Sequence, residues 1–146
     1  MTNMLIKKVN KNAVTPTRGS KYAAGYDLYA CIDEEIEIAP FSTKLIGTGI
    51  AIQLPEVTFG AIFARSGLAT KKGLRPANCV GVVDEDYRGE VMVALYNDSS
   101  YVRTIEPKER IAQLVVMPYM PVDCYLVSEL NDTERSDGGF GSTGSK

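Results

Sequence analysis

Histidine is absent from all 146 residues of this chain. Its absence excludes catalytic groups of the Ser-His-Asp and Cys-His kinds, and zinc deaminase sites built on an H-x-E motif. Acid–base chemistry near neutral pH must therefore rest mainly on carboxylates, lysine, tyrosine or cysteine side chains.

Cysteine is scarce and badly placed for cross-linking. Cys31, Cys79 and Cys124 are far apart, odd in number and without any CxxC spacing. This pattern argues against both a disulfide framework and a zinc knuckle. We expect three reduced thiols, most of them buried.

Long apolar runs are also missing. None approaches the roughly 20 residues that cross a bilayer, and the apolar stretch in residues 1–10 is too short for a signal peptide. We therefore expect a cytoplasmic protein without membrane contact. The net charge of −2 argues against a broad electrostatic hold on nucleic acid or an anionic membrane. A polyphosphate ligand would need local arginines and a metal to supply positive charge.

The composition predicts one folded domain. Hydrophobic residues make up 45% and charged residues 23%, and a chain of this length buries roughly 68–70% of its unfolded surface. After residue 130 the composition changes, and seven of the sixteen residues 131–146 are glycine or serine. We expect a barrel domain over residues 1–130 and a flexible C-terminal lid over residues 131–146.

The hydrophobic pattern predicts an all-β fold. Short stretches rich in β-branched and aromatic residues recur between glycine, proline, asparagine and aspartate, which is typical of a sandwich or barrel. One short helix is expected near Ser66, with this serine as N-cap and lysines toward the C-terminal end. The predicted strands are 26–30, 35–38, 44–54, 58–64, 81–83, 91–96, 101–105, 111–117 and 125–130.

The glycine-rich C-terminus has two interpretations. Its GFGSTGSK sequence is not a P-loop, because the Gly-Lys-Ser/Thr order is missing and no helix can follow within the chain. A disordered tail is one interpretation. The other is a lid that clamps phosphates and stacks on a base, built from Arg135, Phe140, Gly141, Ser142 and Thr143.

Two further segments carry candidate chemistry. Arg65 ends an apolar strand directly before a Ser-Gly helix start, so it either binds an anion with the helix amides or is a surface arginine beside an ordinary cap. In NCVGVVDEDYRGEV, alternation predicts Asp84 and Asp86 on one face and Glu85 on the other. Asp84 beside Tyr87 either activates a water or belongs to a solvated turn.

Two polar residues interrupt apolar strand patterns. Asp27 lies between Tyr26 and Tyr29, where capping a loop and binding a metal are both open. Gln113 interrupts a strand that begins with Arg110, and a buried structural amide is its simplest explanation.

Five segments in this order, AGYDLYA, RSGLA, NCVGVVDEDYRGEV, ERIAQLVV and RSDGGFGSTG, resemble the five motifs of the homotrimeric dUTPases across residues 24–144. The resemblance implies a jelly-roll-like β-barrel whose active sites combine residues of neighbouring subunits, with the tail closing over the ligand. It also implies Mg2+-assisted cleavage of dUTP to dUMP and pyrophosphate, which keeps uracil out of DNA and supplies dUMP for thymidylate synthesis.

Carried over by position, the resemblance gives each candidate residue a role. Asp84 would deprotonate the water that attacks the α-phosphorus, and Asp27 would hold Mg2+ through water. The phosphate contacts would be Arg65, Ser66, Gly67 and Gln113. The uracil and deoxyribose contacts would be Asn78, Gly81, Val83 and Tyr87, with Tyr87 beneath the sugar where a 2′-hydroxyl would clash. The lid contacts would be Arg135, Phe140, Gly141, Ser142 and Thr143.

Two other functions compete with this one. A dCTP deaminase of the same fold would share the Arg-Ser-Gly phosphate site, although the hairpin with Asp84 and Tyr87 and the full glycine-rich tail favour the phosphohydrolase. A protein that mainly contacts a regulatory partner is the second alternative. If the gene is viral, we expect the host cytoplasm or nucleus as the location.

Overall fold

The computed structural model describes residues 3–139. These residues form ten strands and one helix. In chain order the elements are β1 (Leu5–Lys8), β2 (Tyr26–Tyr29), β3 (Ile36–Ile38), β4 (Thr43–Gln53), β5 (Thr58–Phe63), α1 (Ser66–Lys72), β6 (Leu74–Pro76), β7 (Gly81–Val83), β8 (Glu90–Asn97), β9 (Arg103–Ile105) and β10 (Arg110–Pro118).

The strands form three antiparallel sheets. One has the order β1-β4-β8-β6, a second has the order β2-β10-β5-β7, and β3 pairs with β9. Most neighbours in the sheets come from distant parts of the chain, as in a jelly roll. The predicted all-β, jelly-roll-like fold with one short helix is therefore confirmed.

The core lies where the inward faces of the strands meet. Strand β8 alternates between buried and more exposed residues, as a half-buried antiparallel strand does. Burying one large aliphatic side chain stabilises the fold by about 1.5–3 kcal/mol. The largest fully buried aliphatic side chains are Leu28, Ile38, Ile46, Ile50, Leu74, Leu95, Ile105, Ile111 and Leu114.

Helix α1 begins one residue away from the predicted cap. Arg65 is the N-cap, with extended backbone at φ −85° and ψ 129°, and Ser66 is the first helical residue. The prediction of Ser66 as N-cap was wrong by one residue, because the chain is extended only through Arg65 and Ser66 is already helical. The helix ends at Gly73, whose φ of 68° is the left-handed conformation common after a helix.

The strand predicted at 125–130 is wrong. Residues 119–139 contain no strand, and Tyr125 and Leu126 are 82% and 102% exposed. Strand propensity reflects packing against neighbouring strands, and residues 125–130 pair with no strand in this structure. Conversely, the pattern missed β1 and β6, which are three or four residues long and lie at sheet edges.

The cysteines are free, but the prediction that most are buried was wrong. Cys79 and Cys124 are exposed, and Cys31 is partly buried. Burial, followed by the nearby Glu90 and Asp33 carboxylates, raises the pKa of the Cys31 thiol. Within residues 3–139, no helix has the length and apolar character that crossing a membrane requires.

Candidate active site

One cavity, which we call the arginine cavity, gathers the predicted phosphate contacts. It has a volume of about 620 Å³. It forms where β2, β5 and β10 meet the start of α1. Its polar lining includes Asp27, Arg65, Ser66, Gly67, Arg110 and Gln113.

Asp27 holds two guanidinium groups in the arginine cavity. Arg65 Nε lies 2.8 Å from Asp27 Oδ1, and Arg110 Nη1 lies 3.3 Å from Oδ2. The Asp27 side chain is 14% exposed. Two cations around one carboxylate leave one positive charge in surplus, so the cavity favours an anion. Arg110 was not among the predicted site residues, although an arginine opening an apolar strand was a usable signal.

The Gln113 side chain links β10 to the end of β5 at the arginine cavity. Gln113 lies opposite Asp27 on β2 and opposite Phe63 on β5. Its Nε2 donates a hydrogen bond of 2.9 Å to the Ala64 carbonyl, directly before Arg65. A Cβ at Gly25 would lie 3.2 Å from Gln113 Cδ and still closer to Oε1, so glycine leaves room for the amide. The hydrogen bond supports the structural-amide interpretation, and the phosphate contact of Gln113 stays a prediction.

A second cavity, the tyrosine cavity, gathers the predicted nucleoside contacts. It has a volume of about 240 Å³ and lies between the chain around β7 and the start of β8. Strand β7 pairs with β5, with Gly81 opposite Ile62 and Val83 opposite Gly60. The predicted residues that line it are Asn78, Gly81, Val83, Asp84 and Tyr87.

Asp84 begins a turn, so the predicted alternation of carboxylates is wrong. Strand β7 ends at Val83, and the Tyr87 N–H donates to the Asp84 carbonyl at 3.2 Å. Asp84, Glu85 and Asp86 consequently line one further cavity of about 680 Å³, which we call the acidic cavity. Asp84 lines both this cavity and the tyrosine cavity. Asp84 is therefore shared by the acidic cavity and the cavity of the predicted nucleoside contacts.

Glu85 anchors the acidic turn, a role that the sequence did not indicate. Its Oε2 accepts hydrogen bonds from the Val57 N–H at 2.8 Å and from the Tyr119 hydroxyl at 3.1 Å. The Tyr119 N–H in turn donates to the Val57 carbonyl at 3.2 Å. The hydrogen bond to Glu85, and then its charge, raises the pKa of Tyr119. The turn that carries Asp84 is thereby tied to the start of the C-terminal segment.

Asp84 and Arg65 lie toward opposite ends of β5, whereas the tyrosine and arginine cavities meet the strand at the neighbouring residues Ile62 and Phe63. Among the described residues the two cavities share no lining residue. Val83 lies opposite Gly60, and the extended chain from Gly60 to Arg65 spans roughly 16 Å at roughly 3.3 Å per residue. One chain therefore brings the predicted residues together in two groups, with Asp84 remote from Arg65.

The predicted lid is only partly visible. Arg135 Nε donates to the Gly138 carbonyl at 2.9 Å within the segment after β10. Phe140, Gly141, Ser142 and Thr143 lie outside the described residues. Their contact with a ligand stays a prediction.

The fold and cavities define a jelly-roll protein with one cavity lined by arginines and another lined by carboxylates. The dUTPase family model matches residues 11–144. The chain is 47% identical to a deoxyuridine 5′-triphosphate nucleotidohydrolase of Hydrogenobaculum, covering 98% of this chain and 99% of the relative. It is 41% identical to the enzyme of the same name from Idiomarina loihiensis, covering 99% of each.

The structural comparison agrees with the sequence comparison. A point mutant of Staphylococcus bacteriophage 80alpha dUTPase, solved with dUpNHpp, superposes with a TM-score of 0.87 at 28% identity over 99% of both chains. The chain belongs to the dUTPase family. The predicted enzyme class, dUTP diphosphatase, is confirmed at the level of this family.

Proposed function

We propose that this chain hydrolyses dUTP to dUMP and pyrophosphate, with Asp84 deprotonating the water that attacks the α-phosphorus. The observation that carries the proposal is the place of Asp84, at the meeting of the tyrosine cavity and the open acidic cavity. A carboxylate there reaches both a nucleotide and water. A positioned base of this kind contributes about 10²–10⁴ in rate, and no histidine is needed.

The tyrosine cavity would bind the deoxyuridine part. The edge strand β7, which begins at Gly81, would offer backbone groups to the uracil edge, and a Cβ at Gly81 would already meet Ile62 Cβ at 3.2 Å. Tyr87 would lie beneath the deoxyribose, where a 2′-hydroxyl has no room. With a net charge of −2, the protein would act on the free nucleotide in the cytoplasm, removing dUTP before it reaches DNA and supplying dUMP for thymidylate synthesis.

The arginine cavity would bind the phosphates. Its surplus positive charge and the amides of Ser66 and Gly67 at the start of α1 are suited to phosphate oxygens. Arg65 and Arg110 would turn part of their hydrogen bonding from Asp27 to the ligand. The charge that develops on departing pyrophosphate would then be met by fixed cations. Residues 135–146 would close over the bound nucleotide.

The residues present fit a magnesium ion that arrives with the nucleotide. Among residues 3–139 no group of three or more His, Cys, Asp or Glu side chains could hold a metal. Asp27 is the carboxylate of the arginine cavity, and Mg2+ is commonly held by one or two carboxylates, waters and substrate phosphates. When bound, the ion would neutralise phosphate charge. Asp27 would hold it through water while remaining near Arg65 and Arg110.

We further propose a homotrimer with shared active sites. The separation of Asp84 from Arg65 along β5 supports this, because one chain does not assemble the two halves. A neighbouring copy could bring the missing half in a closed rotational assembly. The segment after β10 offers apolar side chains for such contacts, namely Met120, Val122, Tyr125, Leu126 and Leu130, which are 70–102% exposed.

Pyrophosphate release tests the proposed reaction. The full chain would be incubated with dUTP, dCTP, dTTP and UTP in turn, with Mg2+ and with a chelator. We expect Mg2+-dependent release from dUTP alone. Ammonia release from dCTP would instead indicate the deaminase, and no release from any nucleotide would refute the proposed hydrolysis.

A further inference from the structure

The ring of Tyr87 folds back over Gly89. A Cβ at Gly89 would lie 2.6 Å from Tyr87 Cζ and 3.0 Å from Cε2, and closer still to the hydroxyl oxygen. The backbone of Gly89 is not in the left-handed region, in contrast to Gly49 and Gly73. The backbone conformation therefore does not require glycine at this position, whereas the tyrosine ring does.

Hydrogen bonds hold both ends of the Tyr87 residue. Its hydroxyl donates to the Glu90 carbonyl at 3.0 Å, at the first residue of β8. Its N–H donates to the Asp84 carbonyl, and its own carbonyl accepts from Arg88 Nη1 at 2.9 Å. The ring is thus fixed between the turn that carries Asp84 and the start of a core strand. It is also part of the tyrosine cavity wall.

We propose that Gly89 is a positioning residue for sugar selectivity, acting through Tyr87. The inference rests on the proposed place of the deoxyribose above Tyr87. Glycine at position 89 allows the Tyr87 ring to lie directly against the backbone. The resulting position of the ring decides whether a 2′-hydroxyl fits above it. With alanine, the ring must retreat from 2.6 Å to at least 3.4 Å, an ordinary contact, which is a shift of about 0.8 Å.

Displacing the Tyr87 ring should lower the affinity for dUMP more than the affinity for UMP. The parent ring matches the deoxyribose, so displacing it removes contacts that dUMP makes. UMP is already opposed by the ring in its parent position and loses little more. Selectivity is the difference between the two affinities, so it falls. We expect the Kd ratio of UMP to dUMP to fall about tenfold, the lower end of the effect of one methyl-sized change in a pocket.

The test is a double-mutant cycle read by calorimetric binding of dUMP and UMP to the full-length protein. The four proteins are the parent, Gly89→Ala, Tyr87→Ala and the double variant. If Gly89 acts through the ring, Gly89→Ala lowers the ratio in the parent and leaves it unchanged in the Tyr87→Ala background. Denaturant midpoints of all four proteins show whether each is folded.

Several results would overturn the inference. Equal weakening of both nucleotides by Gly89→Ala would indicate a purely structural role. The same change of ratio in the Tyr87→Ala background would show that Gly89 does not act through the ring. A parent protein that does not prefer dUMP over UMP would refute it as well. Because binding needs no turnover, these results are separate from a failure to release pyrophosphate, which would refute the proposed hydrolysis.

Discussion

Mixing two inactive variants tests whether the active site is shared between copies of the chain. The variants are Asp84→Asn, which removes the proposed base from the tyrosine cavity, and Arg65→Gln, which removes a guanidinium from the arginine cavity. Each assembly alone should be nearly inactive. Suppose that each site takes Asp84 from one copy and Arg65 from another. Random mixing of equal amounts then gives about half of the sites an intact Asp84 and, independently, about half an intact Arg65. Both residues are intact in about a quarter of the sites.

The expected recovery of activity is large compared with the activity of either variant alone. Loss of a general base lowers turnover about 10²–10⁴-fold, so recovery to about a quarter of parental activity stands far above either variant alone. The variants would be mixed under denaturing conditions, refolded together and assayed for pyrophosphate release from dUTP. Light scattering would confirm that the assemblies are equal in size.

A matched control uses two residues of the same cavity. Asp84→Asn mixed with Tyr87→Ala should show no recovery, because both residues line the tyrosine cavity of one chain and no mixed assembly restores that cavity. If the mixture of Asp84→Asn and Arg65→Gln shows only the average of its components, the shared site is wrong. Equal recovery in the control pair would contradict the division into two cavities.

Three further predictions concern single elements of the site. Asp84→Asn should lower turnover about 10²–10⁴-fold while dUMP affinity stays nearly unchanged, and near-normal single-turnover hydrolysis would remove Asp84 from the base role. Deleting residues 135–146 should reduce dUTP hydrolysis without altering the assembly, because the described part of them, residues 135–139, lies outside the sheets; unchanged turnover would remove them from the lid role. The raised pKa of Tyr119 means that its hydrogen bond to Glu85 stabilises the fold below the ordinary tyrosine pKa and is lost as pH rises through the folded pKa. Denaturant midpoints should therefore fall more steeply above pH 10 for the parent than for Tyr119→Phe, and parallel curves would refute this.

The sequence predicted the strands whose side chains alternate or form long apolar runs. The predicted strand 44–54 corresponds to β4, Thr43–Gln53, because its apolar residues continue through the core. The strand β1 was missed because only four residues form it and three of them are exposed. Its lysines suit an edge strand, which they protect from pairing with other chains, but they carry little periodic signal.

The sequence indicated those residues of the candidate site that stand out by their type. It did not indicate residues that depend on contacts with parts of the chain remote in sequence. Asp27, Arg65 and Gln113 were predicted as site residues, and all three line one cavity. Glu85 could not be found in this way, because its partners Val57 and Tyr119 are remote in sequence and meet it only after folding. Such contacts depend on which distant strands pair, here β5 with β10, and a local pattern does not show this.

Strand β5 connects the two halves of the proposed site. It pairs with β7 at Gly60, Ala61 and Ile62; β7 leads into Asp84 beside the start of β5, and the other end of β5 leads into Arg65. It pairs with β10 along its whole length, and Leu114 lies opposite Ile62 in the core. In a shared-site assembly each copy would therefore supply a nucleoside half to one site and a phosphate half to another, held apart by a single rigid strand. The spacing between neighbouring sites would then follow from the β5 register rather than from residues 131–146.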